Sequence, residues 1–325
     1  MSNRESSLIT IDDNVNRIKR FIEEVIIRPK SVLRKWSEVT RQTPAFKIGY
    51  VGQHLASLIT GVQGTSTGAR GDDLADHTEV KSCNKIDQSD KCRSCGGRVM
   101  RYENKCGVCG STDIDRKDDS KWLFSVRSEE ELNQYLKMQR ILLLLFDYPG
   151  FDQADFSDMR ISAYEIYPYM KEGEVFRSLI TNHYRNIYLP KTRVNNKANP
   201  MNLHPFGIQF YKCHPHIVFQ ATIKNVDVEP VLNMDKYIDP GTEREPALSM
   251  PSDLLQVEEW DLLMKDVNYP RLEVLMQSPC TRDQLRRMPR KDRLKIIPYI
   301  DAETLDIVPL RNIVSITQKR KYLRR

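Results

Sequence analysis

Two cysteine pairs, Cys92-Arg-Ser-Cys95 and Cys106-Gly-Val-Cys109, stand ten residues apart. Four thiols at this spacing form a closed donor set for tetrahedral Zn²⁺. Gly96-Gly97 and Gly110 follow the two pairs, which suits tight turns that aim backbone amides at the sulfurs. No histidine stands in the module, so the spacing predicts a structural zinc rather than a catalytic one with an open position. Residues 84–118 are therefore expected to fold as a small insert. Seven cysteines, four of them here, argue for metal in a reducing compartment and against a disulfide framework. Cys83, outside the pairs, reads as a small buried residue.

Just ahead of this insert runs Arg70-Gly-Asp-Asp-Leu-Ala-Asp-His-Thr-Glu-Val-Lys-Ser82. Leu74 and Val80 supply apolar beats and Asp76-His77 has turn chemistry, so the stretch reads as a strand, a tight turn and a second strand. Glu79 and Lys81 are two apart and project from one strand face. Such a hairpin brings an aspartate beside them. Two carboxylates and an ammonium at one spot are what is needed to hold Mg²⁺ against a phosphodiester and to activate a water. The choice of aspartate depends on turn length. A two-residue turn at Asp76-His77 selects Asp72, and a turn one residue longer or shorter selects Asp73.

An aspartate followed after a short gap by Glu79-Val80-Lys81 resembles the PD-(D/E)xK nuclease superfamily. The wording Gly-Asp-Asp-Leu-x-Asp-x-x-Glu-Val-Lys-Ser-Cys, with four cysteines behind it, is similar to type II restriction endonucleases of the MamI kind. The resemblance implies a Mg²⁺-dependent, sequence-specific double-strand DNA endonuclease. It also implies an α/β fold: a PD-(D/E)xK nuclease-like α/β/α core with the zinc module inserted and helical N- and C-terminal parts added. In the superfamily an aspartate followed directly by an aliphatic residue is the commoner form, which puts Asp73-Leu74 ahead of Asp72. Asp73, Glu79 and the Val80 carbonyl would then hold Mg²⁺, Lys81 would position the attacking water, and Gln53, on the helix ahead of the hairpin, would join the metal shell. A homodimer on near-palindromic sites is implied, as is a cognate DNA methyltransferase, genetically and not as a physical partner. The alternatives are a structure-specific repair or junction nuclease on the same fold and a non-enzymatic zinc-ribbon DNA-binding regulator.

At 325 residues, 40% apolar and 29% charged, the chain can hold one large domain or two ordinary ones. No window approaches the roughly 18 apolar residues of a membrane helix, and the first residues lack signal-peptide character, so a cytoplasmic location is the expectation. The net charge is only +6, so any nucleic-acid contact must come from uneven distribution of the basic residues.

Three parts are expected: an N-terminal helical arm over 1–46, a nuclease core over 47–236, and a mostly helical basic region over 237–325. In the arm a helix begins at Asn14 and stops at Pro29, and a second carries Val32, Leu33, Trp36 and Val39. Another helix covers Lys47 to Thr60, with Tyr50, Val51, Leu55, Leu58 and Ile59 inward. The glycine- and hydroxyl-rich 61–68 lacks a nucleotide P-loop ending. Lys121–Arg127 reads as a strand returning to the sheet, and Ser128 with Glu131 caps a long helix reaching about Asp147. Met159–Pro168 alternates as a strand, Lys171–Tyr184 as a helix, and Phe206–Tyr211 and Ile217–Val226 as further strands. Between them, residues 188–205 read as a loop. There Lys191, Arg193, Asn195, Asn196 and Lys197 combine basic and amide side chains able to contact base edges, and they are the expected DNA-reading residues. Cys213-His214-Pro215-His216 is too tightly spaced on a turn for one ion. Seven basic residues over 282–295 and the Lys- and Arg-rich end match the footprint of a DNA clamp.

Overall fold

The computed structural model describes residues 13–311, apart from 41, 43–46, 66–71, 86–88, 102, 154 and 195–196. The chain divides into two units. One runs to Pro205 and includes His216–Pro246, and the other comprises Phe206–Pro215 with the residues from Ala247 onward.

In the first unit the helices α1 (Asn14–Phe21), α2 (Arg28–Thr40) and α3 (Ile48–Thr60) precede strand β1 (Thr78–Asn84). Three short strands follow, β2 (Asp90–Cys92), β3 (Arg98–Val99) and β4 (Ile114–Asp115), forming a sheet of their own with β2 central. After β5 (Trp122–Phe124) and α4 (Glu129–Lys137) come β6 (Arg140–Asp147) and β7 (Met159–Ile166), then α5 (Glu174–His183), α6 (Leu189–Arg193) and β8 (Met201–Leu203). Strands β9 (His216–Lys224) and β10 (Val231–Tyr237) complete a five-stranded mixed sheet of order β1-β6-β7-β9-β10. Only β1 and β6 run parallel, with Glu79 beside Ile141 and Lys81 beside Leu143.

The expected long helix from Ser128 to about Asp147 is corrected: α4 ends at Lys137, Met138 turns extended (ψ 134°), and Arg140–Asp147 is the strand β6. A strand paired on both sides and covered on both faces needs no polar beat, so Ile141-Leu-Leu-Leu-Leu145 carries none. All five are fully buried. Alternation sends Leu142 and Leu144 into one layer, with Val80, Ile161, Ala221, Leu55 and Ile59 of α3, and Ile18 and Ile22. The opposite layer holds a ring cluster of Phe124, Tyr135 and Phe176, with centroids 5.3–6.4 Å apart, while Trp122 meets Tyr164 edge-on at 6.5 Å. The sheet is thus a middle layer between helices.

Five further expectations are corrected. Residues 121–127 do not rejoin the main sheet, because β5 pairs with β8 instead. Phe206–Tyr211 is not a strand; Ile208–Tyr211 is one short helical turn of the second unit. Residues 188–193 are helical rather than a loop. The first helix does not stop at Pro29 but continues to Thr40. In both places a π-helical turn, Ile22–Ile27 or Tyr184–Tyr188, lies directly before the residue preceding a proline, Pro29 or Pro190. The wider turn relieves the clash that a pyrrolidine ring makes with the carbonyl four residues back. On α3, Tyr50 points outward, 62% exposed.

The second unit is mostly helical, with short helices Val257–Leu263, Tyr269–Leu275, Arg282–Arg287, Arg290–Ile296 and Ala302–Ile307. Thr281 caps Arg282–Arg287 through a reciprocal capping box with Gln284. The basic run over 282–295 is largely engaged internally: Arg282 pairs with Asp266, Lys295 with Asp292, Arg290 donates to the Asp253 carbonyl, and Arg293 lies 5.2 Å over the Trp260 ring. The basic end of the chain lies outside the described residues. No helix among the described residues is long and apolar enough to cross a membrane.

Candidate active site

The turn before β1 sets which aspartate lies against the strand. Leu74 bridges to Thr78, so Ala75, Asp76 and His77 form a three-residue turn, with His77 left-handed at φ 63°. The first arm is Leu74 alone, bridged to Thr78 on one side and Gly64 on the other, and not a strand. The extra residue turns Asp73 onto β1: its carboxylate accepts from the Val80 N–H at 2.8 Å and from Gln53 Nε2 at 2.5 Å. Asp72 turns away and pairs with His77 Nδ1. Gln53 comes this close because the neighbouring Gly52 lets α3 lie against β1. A Cβ at Gly52 would sit 1.9 Å from Ser82 Oγ and 3.2 Å from Leu144 Cδ1.

On the other face of β1, Lys81 Nζ donates to Glu79 Oε1. Tyr135 of α4 donates to the same oxygen at 3.3 Å. Glu79 is buried, only 7% exposed, and Asp73 is half-buried. Burial raises the pKa of both carboxyls. For Glu79 the Lys81 ammonium opposes the rise and Asp73 adds to it; for Asp73 the Val80 amide and Lys81 oppose it. The structure therefore gathers Asp73, Glu79, Lys81 and Gln53, and leaves Asp72 at the rim. Tyr135 carries no motif, and only packing places it there.

The turn itself is braced from behind. Arg140 donates to Asp76 Oδ2 (2.6 Å), Thr78 Oγ1 (3.0 Å) and Glu165 Oε1 (3.0 Å). Glu165, almost fully buried, also accepts from Arg244 at 2.7 Å and from Tyr167. Burial alone would raise the Glu165 pKa, but Arg140 and Arg244 outweigh it and hold the carboxyl below its usual range.

Ionised Glu79 is thus carried at a cost to the fold. A carboxyl whose folded pKa lies above its unfolded one stabilises the protein below the unfolded pKa, and that contribution is lost as pH rises through the folded pKa. Glu79→Gln should therefore melt about 1–3 °C above wild type at pH 7 in EDTA, the scale of one relieved buried charge. The difference should vanish below about pH 4, where the wild-type carboxyl is itself protonated. Thermal melts across pH check this.

In the cysteine module, Cys92, Cys95, Cys106 and Cys109 place their sulfurs within 4.8 Å of one another. The Cys92–Cys109 and Cys95–Cys106 separations are both 3.6 Å, near the ~3.8 Å edge of a tetrahedron with ~2.3 Å Zn–S bonds. The Cys95 amide lowers the Cys92 pKa to about 6, and the Cys109 and Val108 amides lower that of Cys106, while against the Gly97 amide the neighbouring Cys109 and Cys106 sulfurs push the Cys95 thiol up to about 12. Gly96 and Gly110 close the two turns at φ 71° and 72°. The cluster suggests a zinc site. Within the module, fully buried Asp90 pairs with Arg101 (3.0 Å) and Arg116 (2.7 Å), and the Arg101 guanidinium reaches beyond it to lie 4.9 Å over the Phe151 ring. Arg101, 3% exposed, is therefore structural. Cys83 is a buried residue of β1.

Of the expected DNA-reading residues, Lys191 and Arg193 lie on α6, Lys197 is exposed, and Asn195 and Asn196 lie outside the described residues. His214 faces Asp306 at 3.0 Å, and His216 Nδ1 contacts the Glu245 carbonyl at 2.7 Å, so the two histidines have separate partners.

Among curated proteins, the type II restriction enzyme MamI of Microbacterium ammoniaphilum is 28% identical over 156 residues, 48% of this chain and 45% of that enzyme. The match thus covers less than half of the relative's length. No solved structure matches. The profile of the MamI restriction endonuclease family matches residues 35–255, a span that contains the Asp73–Lys81 cluster and the four cysteines. On that match, over more than half of its length, the chain belongs to the MamI restriction endonuclease family.

Proposed function

We propose that the protein is a Mg²⁺-dependent, sequence-specific double-strand DNA endonuclease of the PD-(D/E)xK type, with Asp73, Glu79 and Lys81 as its catalytic group. The observation that carries this reading is the convergence of two carboxyls, both with raised pKa, and one lysine on β1. The donor chemistry fits a hard divalent cation, since buried oxygen donors of excess negative charge call for one. Asp73 and Glu79 would hold it. The Val80 carbonyl is a third donor: a residue's N–H and C=O leave a strand on the same side, and the Val80 N–H faces Asp73. Bound there, Mg²⁺ supplies Lewis-acid charge neutralisation at the phosphodiester.

Gln53 fixes the Asp73 carboxylate and Tyr135 that of Glu79, so neither has to be organised during the reaction. Lys81 orients the attacking water, favours its deprotonation, and offsets negative charge developing on the phosphate as one P–O bond forms and another breaks. The four cysteines hold structural Zn²⁺ in this reading. A homodimer, with one active site per strand, suits cleavage of both strands at a two-fold site. Lys191, Arg193 and Lys197 remain available as DNA contacts.

The test is incubation of the purified protein with phage and plasmid DNA in Mg²⁺ or EDTA, beside Glu79→Ala. Discrete fragments that need Mg²⁺ and disappear in the variant are expected. Cutting retained by Glu79→Ala would sink the assignment, and intact DNA with a band shift would point to a DNA-binding protein without nuclease activity.

A further inference from the structure

A groove of about 410 Å³ lies at the lip of the Asp73–Glu79 site. One wall is the turn, through Asp72 and His77. The other is α4, through Glu130, Asn133, Gln134 and Lys137. These four positions follow i, i+3, i+4, i+7 and form one helix face, while Leu132 and Tyr135 on the opposite face are buried in the core. Tyr135 donates to Glu79. The helix that lines the groove is therefore anchored one side chain away from the cluster proposed for catalysis. Asn133, Gln134 and Lys137 are exposed and make no side-chain hydrogen bond or ion pair among the described residues.

Resting on the nuclease reading above, we infer that this groove holds the nucleotides flanking the scissile phosphate, with Asn133 and Gln134 reading base edges and Lys137 holding the strand's phosphate. The charge pattern sets the direction. Asp72 and Glu130 repel phosphate, so the backbone enters at Lys137, the one ammonium among the four groove-facing positions of α4. Glu130 and Lys137 are about 10 Å apart along the helix, which leaves the two amides between them for the bases. Amide side chains make two-point contacts with adenine, while a lysine contact to phosphate carries no sequence information. The groove thus assigns base reading to a rigid helix beside the chemistry.

The experiment is selection from random-sequence duplex DNA with Ca²⁺ in place of Mg²⁺, followed by binding titrations against salt. Wild type is expected to enrich one motif. Asn133→Ala and Gln134→Ala should each lose about 5- to 150-fold discrimination at one base position and keep the rest. Lys137→Met should bind all sequences more weakly and lower the slope of log affinity against log salt by about one. All three substitutions are on an exposed face and should melt as wild type does. An unchanged motif with an unchanged salt slope overturns the inference. A motif that wild type binds but leaves intact in Mg²⁺ sinks the nuclease reading while the groove still stands on the binding data. A wild type that enriches no motif overturns both.

Discussion

Lys81→Met should cut supercoiled plasmid about 10²–10⁴-fold more slowly than wild type in single-turnover assays, the range seen when a positioned proton-transfer or charge-stabilising group is removed. The loss should fall on the rate rather than on DNA binding, because Lys81 is 24% exposed at the side chain and its partner is Glu79, not the wider surface. Lys81→Arg should recover little. A planar guanidinium has a larger, fixed donor fork and cannot occupy the compact place of an ammonium beside the Glu79 carboxylate. A variant that binds the same DNA, melts as wild type and still cuts at wild-type rate would remove Lys81 from the mechanism. Adding Mg²⁺ should raise the melting temperature of wild type and leave Glu79→Gln almost unmoved, because only a protein that binds the ion in its folded state is stabilised by it.

The second large effect concerns the cysteines. Purified protein should carry about one zinc per chain, the stoichiometry of a closed four-thiolate site. Chelation, or Cys106→Ser, should remove it and unfold the insert. Metal binding and folding are a single equilibrium in such small modules, with an apparent zinc contribution of about 10–16 kcal/mol at neutral pH. Among the described residues the insert's own apolar core is Cys92, Val99 and Cys106 with Ile114 packed against them, too little to persist without metal. Hydrogen exchange followed by mass spectrometry reads this directly. Amides over 89–117 should lose protection while Leu142–Leu145 keep theirs. Protection that survives full zinc removal would show that Asp90 and its two arginines suffice to hold the insert.

How far the sequence could be read depends on which contacts are local. The cysteine pairs and Glu79-x-Lys81 are short-range patterns whose geometry follows from turn and strand periodicity, so they were legible. Which aspartate lies against β1 turned on one residue of turn length, and the three-residue turn puts Asp73 beside Val80 and Gln53. The run Ile141–Leu145 misled because a strand buried on both faces and an apolar helix have the same composition; only the extended backbone at Met138 separates them. Pro29 and Pro190 misled in a related way, since a π turn that tolerates a proline leaves no mark in the sequence. Tyr135, Arg140 and Glu165 were invisible for a different reason. Each meets the site across 25 to 64 residues of chain, and nothing in their own neighbourhoods announces a partner.

β1 is the outermost strand of its sheet, and Asp73 lies along its free side, with the Asp73 and Leu74 amides donating to the Thr78 carbonyl and the Asp73 carboxylate accepting from Val80. A bare strand margin invites another chain to add itself by backbone pairing, and a charge set on that margin is one of the ways proteins prevent it. The aspartate assigned here to metal binding therefore also guards solubility: it fills the donor that an intruding strand would take and presents a negative charge to anything approaching. Chemistry and resistance to aggregation draw on the same side chain, so an inactive variant at Asp73 is a poorer reagent for structural work than one at Lys81.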